Sequence, residues 1–102
     1  MIRGRRRRGR RGRRPLPVYV GHRPVTESFI PQPREGGPPI VLEMAELEAL
    51  RLADLEGISQ EEAGIRMGVS RGTIWRLLHR ARRKIAQALI EGRRIQIRRQ
   101  VT

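Results

Sequence analysis

The segment Ser59–Leu78 constrains the fold most, because it has the pattern of two short helices joined by a tight turn. Ser59 and Glu62 form an S-x-x-E sequence, which is typical of a capping box at a helix start. Gly68 lies where the turn needs a positive φ, which glycine adopts without steric cost. Ser70 is placed to cap the second helix. The pattern predicts a helix-turn-helix, the arrangement that places its second helix in the major groove of DNA.

Apolar residues along the second helix recur at helical spacing and predict one buried stripe. At about 100° per residue, this stripe contains Ile74, Leu77, Leu78, Ala81, Ile85, Ala88 and Leu89. The opposite side carries Gly72, Arg76, His79 and Arg83, with Trp75 and Arg80 on the flanks. No acidic residue occurs between Arg66 and Ile90. A merely solvated helix usually mixes charge signs, so this face favours an anionic partner over an ordinary helical hairpin.

Charge is divided along the chain into three blocks that sum to the net charge of +13. Residues 1–26 carry ten arginines and no acidic residue, and residues 27–65 carry nine acidic residues against two arginines. Residues 66–102 carry eleven basic residues against one acidic residue. Positive charge is thus concentrated in the amino-terminal arm, the second helix and the tail. This distribution predicts double-stranded DNA as the partner.

Several classes of protein are excluded by composition. The chain contains no cysteine, so disulfides, thiolate metal sites and cysteine nucleophiles are absent. Its two histidines, His22 and His79, lie far apart, so we expect no metal site. No phosphate-binding glycine loop or catalytic triad is evident, and we expect neither an enzyme nor a cofactor. Without a membrane-spanning apolar run or a signal peptide, the expected location is the cytoplasm, in association with the nucleoid.

The chain divides into four predicted parts. Residues 1–14 form a basic arm of arginine and glycine, which we expect to be disordered in isolation. Residues 15–42 are an extended segment rich in proline and glycine, residues 43–92 are the DNA-binding domain, and residues 93–102 are a basic tail or short strand. The arm resembles segments that follow phosphates or enter a minor groove. Alternatively, it reflects an arginine-rich coding bias and adds little, since Lys84 is the only lysine.

A leucine-rich helix is predicted from Glu43 to Glu56, ending at Gly57. Its apolar residues spread over more of the circumference than one buried stripe requires; they are Met44, Leu47, Leu50, Leu52 and Leu55. Either the amino-terminal segment or a second subunit covers the surplus. A homo-oligomer, most simply a dimer, is therefore expected, because helix-turn-helix proteins often dimerise on two half-sites.

The end of the chain, from Arg93 to Arg99, alternates briefly like a strand. Three interpretations remain open: it pairs with Val18–Val20, it forms a basic wing, or it frays as a tail. Ile40–Leu42 forms either a short strand or the entry into the leucine-rich helix. The predicted fold is mainly α, with a three-helix core, an extended amino-terminal segment and a possible short terminal strand.

A family resemblance rests on the block EALRLADLEG, from Glu48 to Gly57, and on the SQEEA…MGVSRGT…ARRKIA run that follows it. These blocks resemble a small prokaryotic family of predicted DNA-binding proteins of unknown function, over about residues 15–97. The family's helix-turn-helix is similar to that of the fourth region of sigma factors. The resemblance implies that Ser70–Arg83 docks in the major groove. Many members carry cysteines in the amino-terminal segment, a feature this chain lacks.

Individual roles follow from position on the two helices. Residues in the early turns of the recognition helix are expected to contact base edges: Arg71, Gly72, Thr73, Trp75 and Arg76. Residues at helix starts or farther along are expected to contact phosphates: Ser59, Gln60, Ser70, His79, Arg80, Arg82, Arg83 and Lys84. For Trp75 an alternative is packing at the core edge or in a subunit interface.

Three binding functions compete at this point. The first is a sequence-specific transcriptional regulator, which we favour. The second is a non-specific nucleic-acid binder, nucleoid-type or RNA-directed, in which the arm and tail dominate. The third is an adaptor that contacts the transcription machinery through an acidic surface over residues 43–62, including Glu46 and Glu48.

Overall fold

The computed structural model describes residues 18–33 and 36–99. Along the chain, these residues form β1 (Ser28–Phe29), β2 (Ile40–Glu43), α1 (Met44–Leu50), a π-helical turn (Arg51–Leu55), α2 (Gln60–Met67), α3 (Arg71–Glu91) and β3 (Ile95–Arg98). About half of the described residues are helical, so the fold is mainly α, as predicted. The three-stranded sheet exceeds the prediction, which had only a possible terminal strand and a possible strand at Ile40–Leu42. The predictions for residues 1–14 lie outside the described residues.

α1 begins where the backbone amide of Glu43 donates to Glu46 Oε1 over 3.0 Å. The predicted helix over residues 43–56 is present but changes its winding at Arg51, where a π-helical turn follows α1. The amide of Glu56 donates to the carbonyl of Arg51 over 2.8 Å, five residues back. The wider turn buries Leu52 and leaves Leu55 exposed. Only part of the apolar circumference of this helix is therefore buried.

The two capped helices predicted between Ser59 and Leu78, and the turn between them, occur at the expected positions. Ser59 Oγ accepts from the amide of Glu62 over 3.0 Å, and Ser70 Oγ accepts from the amide of Thr73 over 3.1 Å. Gly68 has a φ of 73°, in the left-handed region. Donation from Gly68 N to Ile65 O and from Val69 N to Gly64 O closes a Schellman turn at the end of α2.

The three helices share one apolar cluster, which consists of Ala49, Leu52, Ala63, Met67, Ile74, Leu77 and Leu78. Ala81 and Ala88 are also buried, as the predicted stripe required. Leu89 was wrongly assigned to that stripe, since 75% of it is exposed. α3 has 21 residues, whereas α1 and α2 have seven and eight. Leu89 points about 100° away from the buried Ala88, so it lies at the edge of the stripe and is not covered.

The sheet has the strand order β1-β3-β2, with β3 between the other two. β3 runs antiparallel to β1, with Phe29 opposite Ile95, and parallel to β2, with Ile40 also opposite Ile95. The terminal strand is therefore present, but its proposed pairing with Val18–Val20 is wrong. Both edges of β3 are occupied by β1 and β2. The amide of Tyr19 instead donates to the carbonyl of Met67 over 3.0 Å, at the end of α2.

Within the described ranges, no helix combines the length and the apolar character needed to cross a membrane.

Candidate nucleic-acid interface

The amino end of α3 carries an exposed hydrogen-bonded series of side chains. Ser70 Oγ donates to Thr73 Oγ1 over 3.0 Å, and Arg76 Nη2 donates to the same oxygen over 3.2 Å. The series begins with a helix cap, so the Arg76 guanidinium is held against the first turn of α3. Preorganisation of this kind reduces the entropy that a long side chain loses on binding.

Trp75 and His79, one turn apart on α3, stack on each other with ring centroids 4.9 Å apart and an interplanar angle of 8°. Trp75 is 54% exposed, so it is not a buried core residue in this monomer. The pair presents a flat aromatic surface next to the Arg76 series. The predicted contacts of Trp75 and His79 with DNA are compatible with the exposure of both residues.

Gly72 and Gly64 are both helical glycines, but they differ in what a side chain would meet. A Cβ at Gly64 would lie 2.7 Å from the carbonyl oxygen of Val69, a fixed backbone atom. A Cβ at Gly72 would meet only Arg76 Nη1 at 3.8 Å and Ser70 Oγ at 3.9 Å, which are ordinary contacts. Gly64 is therefore required by the turn, whereas no described neighbour explains Gly72. Sequence reasoning missed Gly64, although a glycine inside a helix is itself unfavourable.

The basic side chains of α3 fall into two groups. The paired group lies against carboxylates that follow β2: Arg82 binds both oxygens of Asp54 at 3.0 and 2.7 Å, and Lys84 binds both oxygens of Glu46 at 2.8 and 3.0 Å. Arg80 completes this group, with its Nε 3.5 Å from Glu46 Oε2.

The unpaired group consists of Arg71, Arg76 and Arg83, all of which are exposed. None of the three forms an ion pair with a carboxylate among residues 18–33 and 36–99. The positive charge that the sequence concentrates on this helix is thus divided between two groups. Three of its cations are engaged within the molecule, and three are available to an external anion.

Electrostatics at the exposed Arg82–Asp54 pair stabilise both charges. The hydrogen bond from Arg82 lowers the pKa of Asp54 below its ordinary value of 3.8. The same bond raises the pKa of Arg82. Both groups therefore stay charged at neutral pH, and Arg82 contacts a phosphate only in competition with Asp54.

The start of α2 holds the other predicted phosphate ligands. Ser59 is exposed and caps the helix, while Gln60 is half-buried. Glu61 and Glu62 follow in the first turn, and Glu62 accepts from Arg66 over 3.3 Å. These carboxylates add negative charge where a phosphate was expected, so this end of α2 is electrostatically less favourable for an anion than the start of α3.

The prediction of an exposed acidic surface over residues 43–62 is wrong for two of its residues, Glu46 and Glu48. Glu46 and Glu48 are only 2% and 3% exposed. Glu46 lies against Lys84 of α3, and Glu48 accepts from Arg51 and from the amide of Gly21. Burial raises the pKa of Glu48. The hydrogen bonds from Arg51 and Gly21, together with the positive charge of Arg51, outweigh this effect, so the pKa lies below its ordinary value of 4.5. Both carboxylates accept hydrogen bonds from donors within the molecule, so neither belongs to an exposed acidic surface.

No group of three or more His, Asp or Glu side chains within the described part of the chain is arranged to hold a metal ion.

The fold and its exposed basic helix define a small, mainly helical protein with a candidate anion-binding face. A family model described as "Protein of unknown function DUF134" matches residues 1–100, and the chain belongs to this family. It is 54% identical over 88 residues to a UPF0251 protein of Pyrococcus furiosus, covering 83% of this chain and 82% of the relative. It is 45% identical over 87 residues to a UPF0251 protein of Archaeoglobus fulgidus, covering 85% and 83%.

Identity is higher over a shorter stretch in Pyrococcus horikoshii. There, a UPF0251 protein is 62% identical over 58 residues, covering 57% of this chain and 53% of the relative. No solved structure matches the chain significantly. The predicted membership of a small prokaryotic family of unknown function is confirmed, and its function has to be argued from the site.

Proposed function

We propose that this protein binds double-stranded DNA with sequence preference and acts as a transcriptional regulator, with α3 as its recognition helix. The observation that carries the proposal is the unpaired group, Arg71, Arg76 and Arg83, which is exposed on a helix whose other basic residues form internal ion pairs. Arg76 and Arg83 lie opposite the buried stripe, and Arg71 lies at the amino end of the helix. A helix of about 30 Å fits the major groove, which admits an α-helix.

The capped turn between α2 and α3 supports a helix-turn-helix similar to that of the fourth region of sigma factors. In such units the second helix enters the major groove with its amino-terminal residues towards the bases. The Schellman turn at Gly68 and the close approach at Gly64 fix the path between the two helices. A fixed angle between supporting and recognition helices is what accurate docking requires.

Base contacts are assigned to the first two turns of α3. Arg76 is the best placed to donate two hydrogen bonds to a guanine, because Thr73 orients its guanidinium. The absent side chain at Gly72 allows the helix to approach the groove floor. Arg71 and Trp75 lie on the same early turns and complete the proposed base-contacting set.

Phosphate contacts are assigned mainly to Arg83, supported by His79 and by Ser70 at the start of α3. Arg80, Arg82 and Lys84 are secondary candidates, since each also contacts a carboxylate. Ser59 and Gln60 remain candidates at α2. Such contacts supply affinity without sequence information. Nucleoid association would follow from DNA binding and is part of the same proposal.

A non-specific nucleic-acid binder is the second candidate, since nine of the first fourteen residues are arginine. In that case the arm supplies most of the affinity, and α3 adds a further basic surface. An adaptor role through Glu46 and Glu48 loses its basis, because both carboxylates are buried.

Homodimerisation is proposed through the far end of α3. Leu89 and Ile90 are 75% and 85% exposed there, and Phe29 and Ile30 of the β1 region are also exposed. Together with neighbouring residues, Phe29, Ile30 and Leu89 line an apolar groove of about 200 Å³. This end is about 25 Å from the base-contacting turns, so a dimer formed here leaves both recognition surfaces accessible. Sedimentation equilibrium of the full chain and of Leu89→Glu tests it; a monomer at all concentrations contradicts the proposal.

The experiment that tests the main proposal is selection from a random duplex pool with the full chain, followed by affinity measurements over a salt series. We expect a defined motif bound at least ~1,000-fold more tightly than random DNA. A palindromic motif would in addition indicate a dimer. Equal binding to every duplex or RNA, with a steep salt dependence, would overturn sequence specificity and support the second candidate.

A further inference from the structure

The stacked pair formed by Trp75 and His79 leaves one face of the indole ring open. The two rings are nearly parallel, at an angle of 8°, and their centroids are 4.9 Å apart. Long helical side chains lean towards the amino end of their helix, so His79 reaches back and covers the indole face nearer the carboxyl end of α3. The opposite face of the indole is directed towards the amino end of α3, and Trp75 is 54% exposed.

The space beside this open face is not filled by the preceding turn of α3. Gly72, three residues before Trp75, has no side chain. A Cβ at this position would meet only Arg76 Nη1 at 3.8 Å and Ser70 Oγ at 3.9 Å. The hydroxyl of Thr73 is bound by Ser70 and Arg76. The open face of Trp75 is therefore an exposed apolar surface beside a guanidinium that is already oriented.

The major groove of DNA offers one apolar group to such a surface. Base edges there present hydrogen-bond donors and acceptors, and the C5-methyl group of thymine is the exception. A methyl group placed on the indole face is removed from water without leaving a polar group unpaired. A whole base could stack on the same face only after leaving the duplex, which costs free energy. The chemistry of this surface therefore favours a thymine methyl group in intact duplex.

We propose that the open face of Trp75 contacts the C5-methyl group of a thymine, within about two base pairs of the guanine assigned to Arg76. Adjacent helical residues project about 100° apart, so the two side chains reach different base pairs. His79 is a positioning residue, because its ring fixes the plane of the indole. This inference rests on the proposed function and names the chemical group that Trp75 recognises.

The main test removes the methyl group from the DNA and leaves every base pair in place. In the selected duplex, deoxyuridine replaces each thymine near the guanine whose recognition is lost in Arg76→Ala. We expect one replacement to weaken binding by the full chain about fourfold, the factor for burying one methyl group. With a C·G pair at that position, 5-methylcytosine should bind more tightly than cytosine by a similar factor. Equal binding of the thymine and deoxyuridine duplexes at every position would overturn the proposal.

Two variants assign the methyl contact to one side chain. Trp75→Ala should bind the thymine and deoxyuridine duplexes equally. Thr73→Ser is the matched control, because it removes the other methyl group at the start of α3 and keeps the hydroxyl that binds Ser70 and Arg76. It should retain the difference between the two duplexes. Loss of the difference in Thr73→Ser and its retention in Trp75→Ala would overturn the assignment. Thermal unfolding of both variants establishes that the fold is intact.

Fluorescence tests the positioning role of His79, because Trp75 is the only tryptophan of the chain. We expect its emission to change more on binding the thymine duplex than on binding the deoxyuridine duplex. His79→Ala should reduce both this difference and the difference in affinity, while thermal stability is retained. Unchanged differences in His79→Ala would contradict the positioning role. Emission that changes with protein concentration but not with DNA would place Trp75 in a subunit interface and overturn the proposal.

Failure of this inference is distinguishable from failure of the proposed function. If no motif is selected from the random pool, both fail together. If a motif is selected and the full chain binds it equally with and without the methyl groups, sequence preference stands and the methyl contact alone is refuted. Tighter binding to the single strand than to the duplex would also refute it, because the indole would then serve as a stacking surface for unpaired bases.

Discussion

The paired and unpaired groups of basic residues on α3 alternate along one helix but differ in their surroundings. Arg82 and Lys84 each hold a carboxylate through two hydrogen bonds, whereas the neighbouring Arg83 has no such partner within the described chain. Because residues 82, 83 and 84 each point about 100° apart, adjacent cations face different environments. Net charge therefore overstates how many cations are free for DNA, and orientation relative to α1 decides which ones are.

The largest expected effect is loss of stability when the buried carboxylate of the paired group is neutralised. Glu46→Gln leaves Lys84 and Arg80 without their counter-charge at a site that is 2% exposed. We expect a loss of about 2–4 kcal/mol in the free energy of unfolding, measured by urea denaturation. The control Glu62→Gln breaks only the exposed pair with Arg66, and should cost less than about 1 kcal/mol. Equal losses would show that the paired group has no special role in the fold.

Next in size is the loss of base discrimination when Arg76 is truncated. Arg76→Ala should reduce the preference for the selected motif over a single-base variant by about 1–3 kcal/mol, with little change in stability. Competition binding with matched duplexes measures this difference. Arg80→Ala, from the paired group and one turn along, is the control and should retain the preference. If Arg76→Ala keeps its preference, the docking of α3 is wrong.

Gly72→Ala separates the demands of folding from those of binding. No described atom obstructs a Cβ at this position, so alanine should stabilise α3 by up to about 1 kcal/mol. The same methyl group would hinder close approach to DNA and lower the affinity. Thermal unfolding and DNA binding are measured on the same preparation. A variant that is both more stable and equally tight in binding would remove close approach as the reason for this glycine.

A smaller effect distinguishes two adjacent arginines. Arg83→Ala should weaken binding to all duplexes alike and reduce the slope of log affinity against log salt by about one unit. Arg82→Ala should change the slope less, because Asp54 already neutralises that charge. The salt series described for the selected motif provides the measurement. Identical slopes for the two variants would mean that the ion pair with Asp54 opens on DNA.

The smallest effect concerns acid sensitivity. The pKa of Asp54 is lowered in the folded protein, so this group stabilises the fold above its unfolded value of about 3.9. That contribution is lost as the pH falls through the lowered folded pKa. Asp54→Asn should therefore cost a few tenths of a kcal/mol at pH 7, as for other exposed pairs, and less at pH 2–3. Glu61→Gln serves as the control, and a pH-independent cost for Asp54→Asn would contradict this linkage.

Local features were predictable from sequence, because the residues that form them are neighbours in the chain. Ser59, Gly68 and Ser70 each act within three or four residues, and all three hold the predicted cap or turn. Pairing of Lys84 with Glu46 joins residues 38 positions apart, and Arg82 with Asp54 joins residues 28 apart. No local pattern specifies such partners, so the pairing of Arg82 and Lys84 with internal carboxylates emerged only from the packed structure.

The same reasoning applies to the terminal strand and to the leucine-rich helix. Alternation over Arg93–Arg99 predicted a strand, but its neighbours at β1 and β2 are fixed by how the chain returns to the core. The sequence pattern did not predict the change to π winding at Arg51. The predicted base-contacting residues remain predictions, since their assignment depends on a DNA complex.

The position of β3 between β1 and β2 has a consequence for how the chain folds. Its parallel partner β2 precedes the helices, so Ile40 meets Ile95 only after α1, α2 and α3 have been traversed. Contacts that close such a long loop form slowly, whereas helix–helix contacts between chain neighbours form early. The helical core should therefore acquire amide protection first and the sheet last. A ribosome-bound chain would complete its sheet only when the last strand has left the exit tunnel.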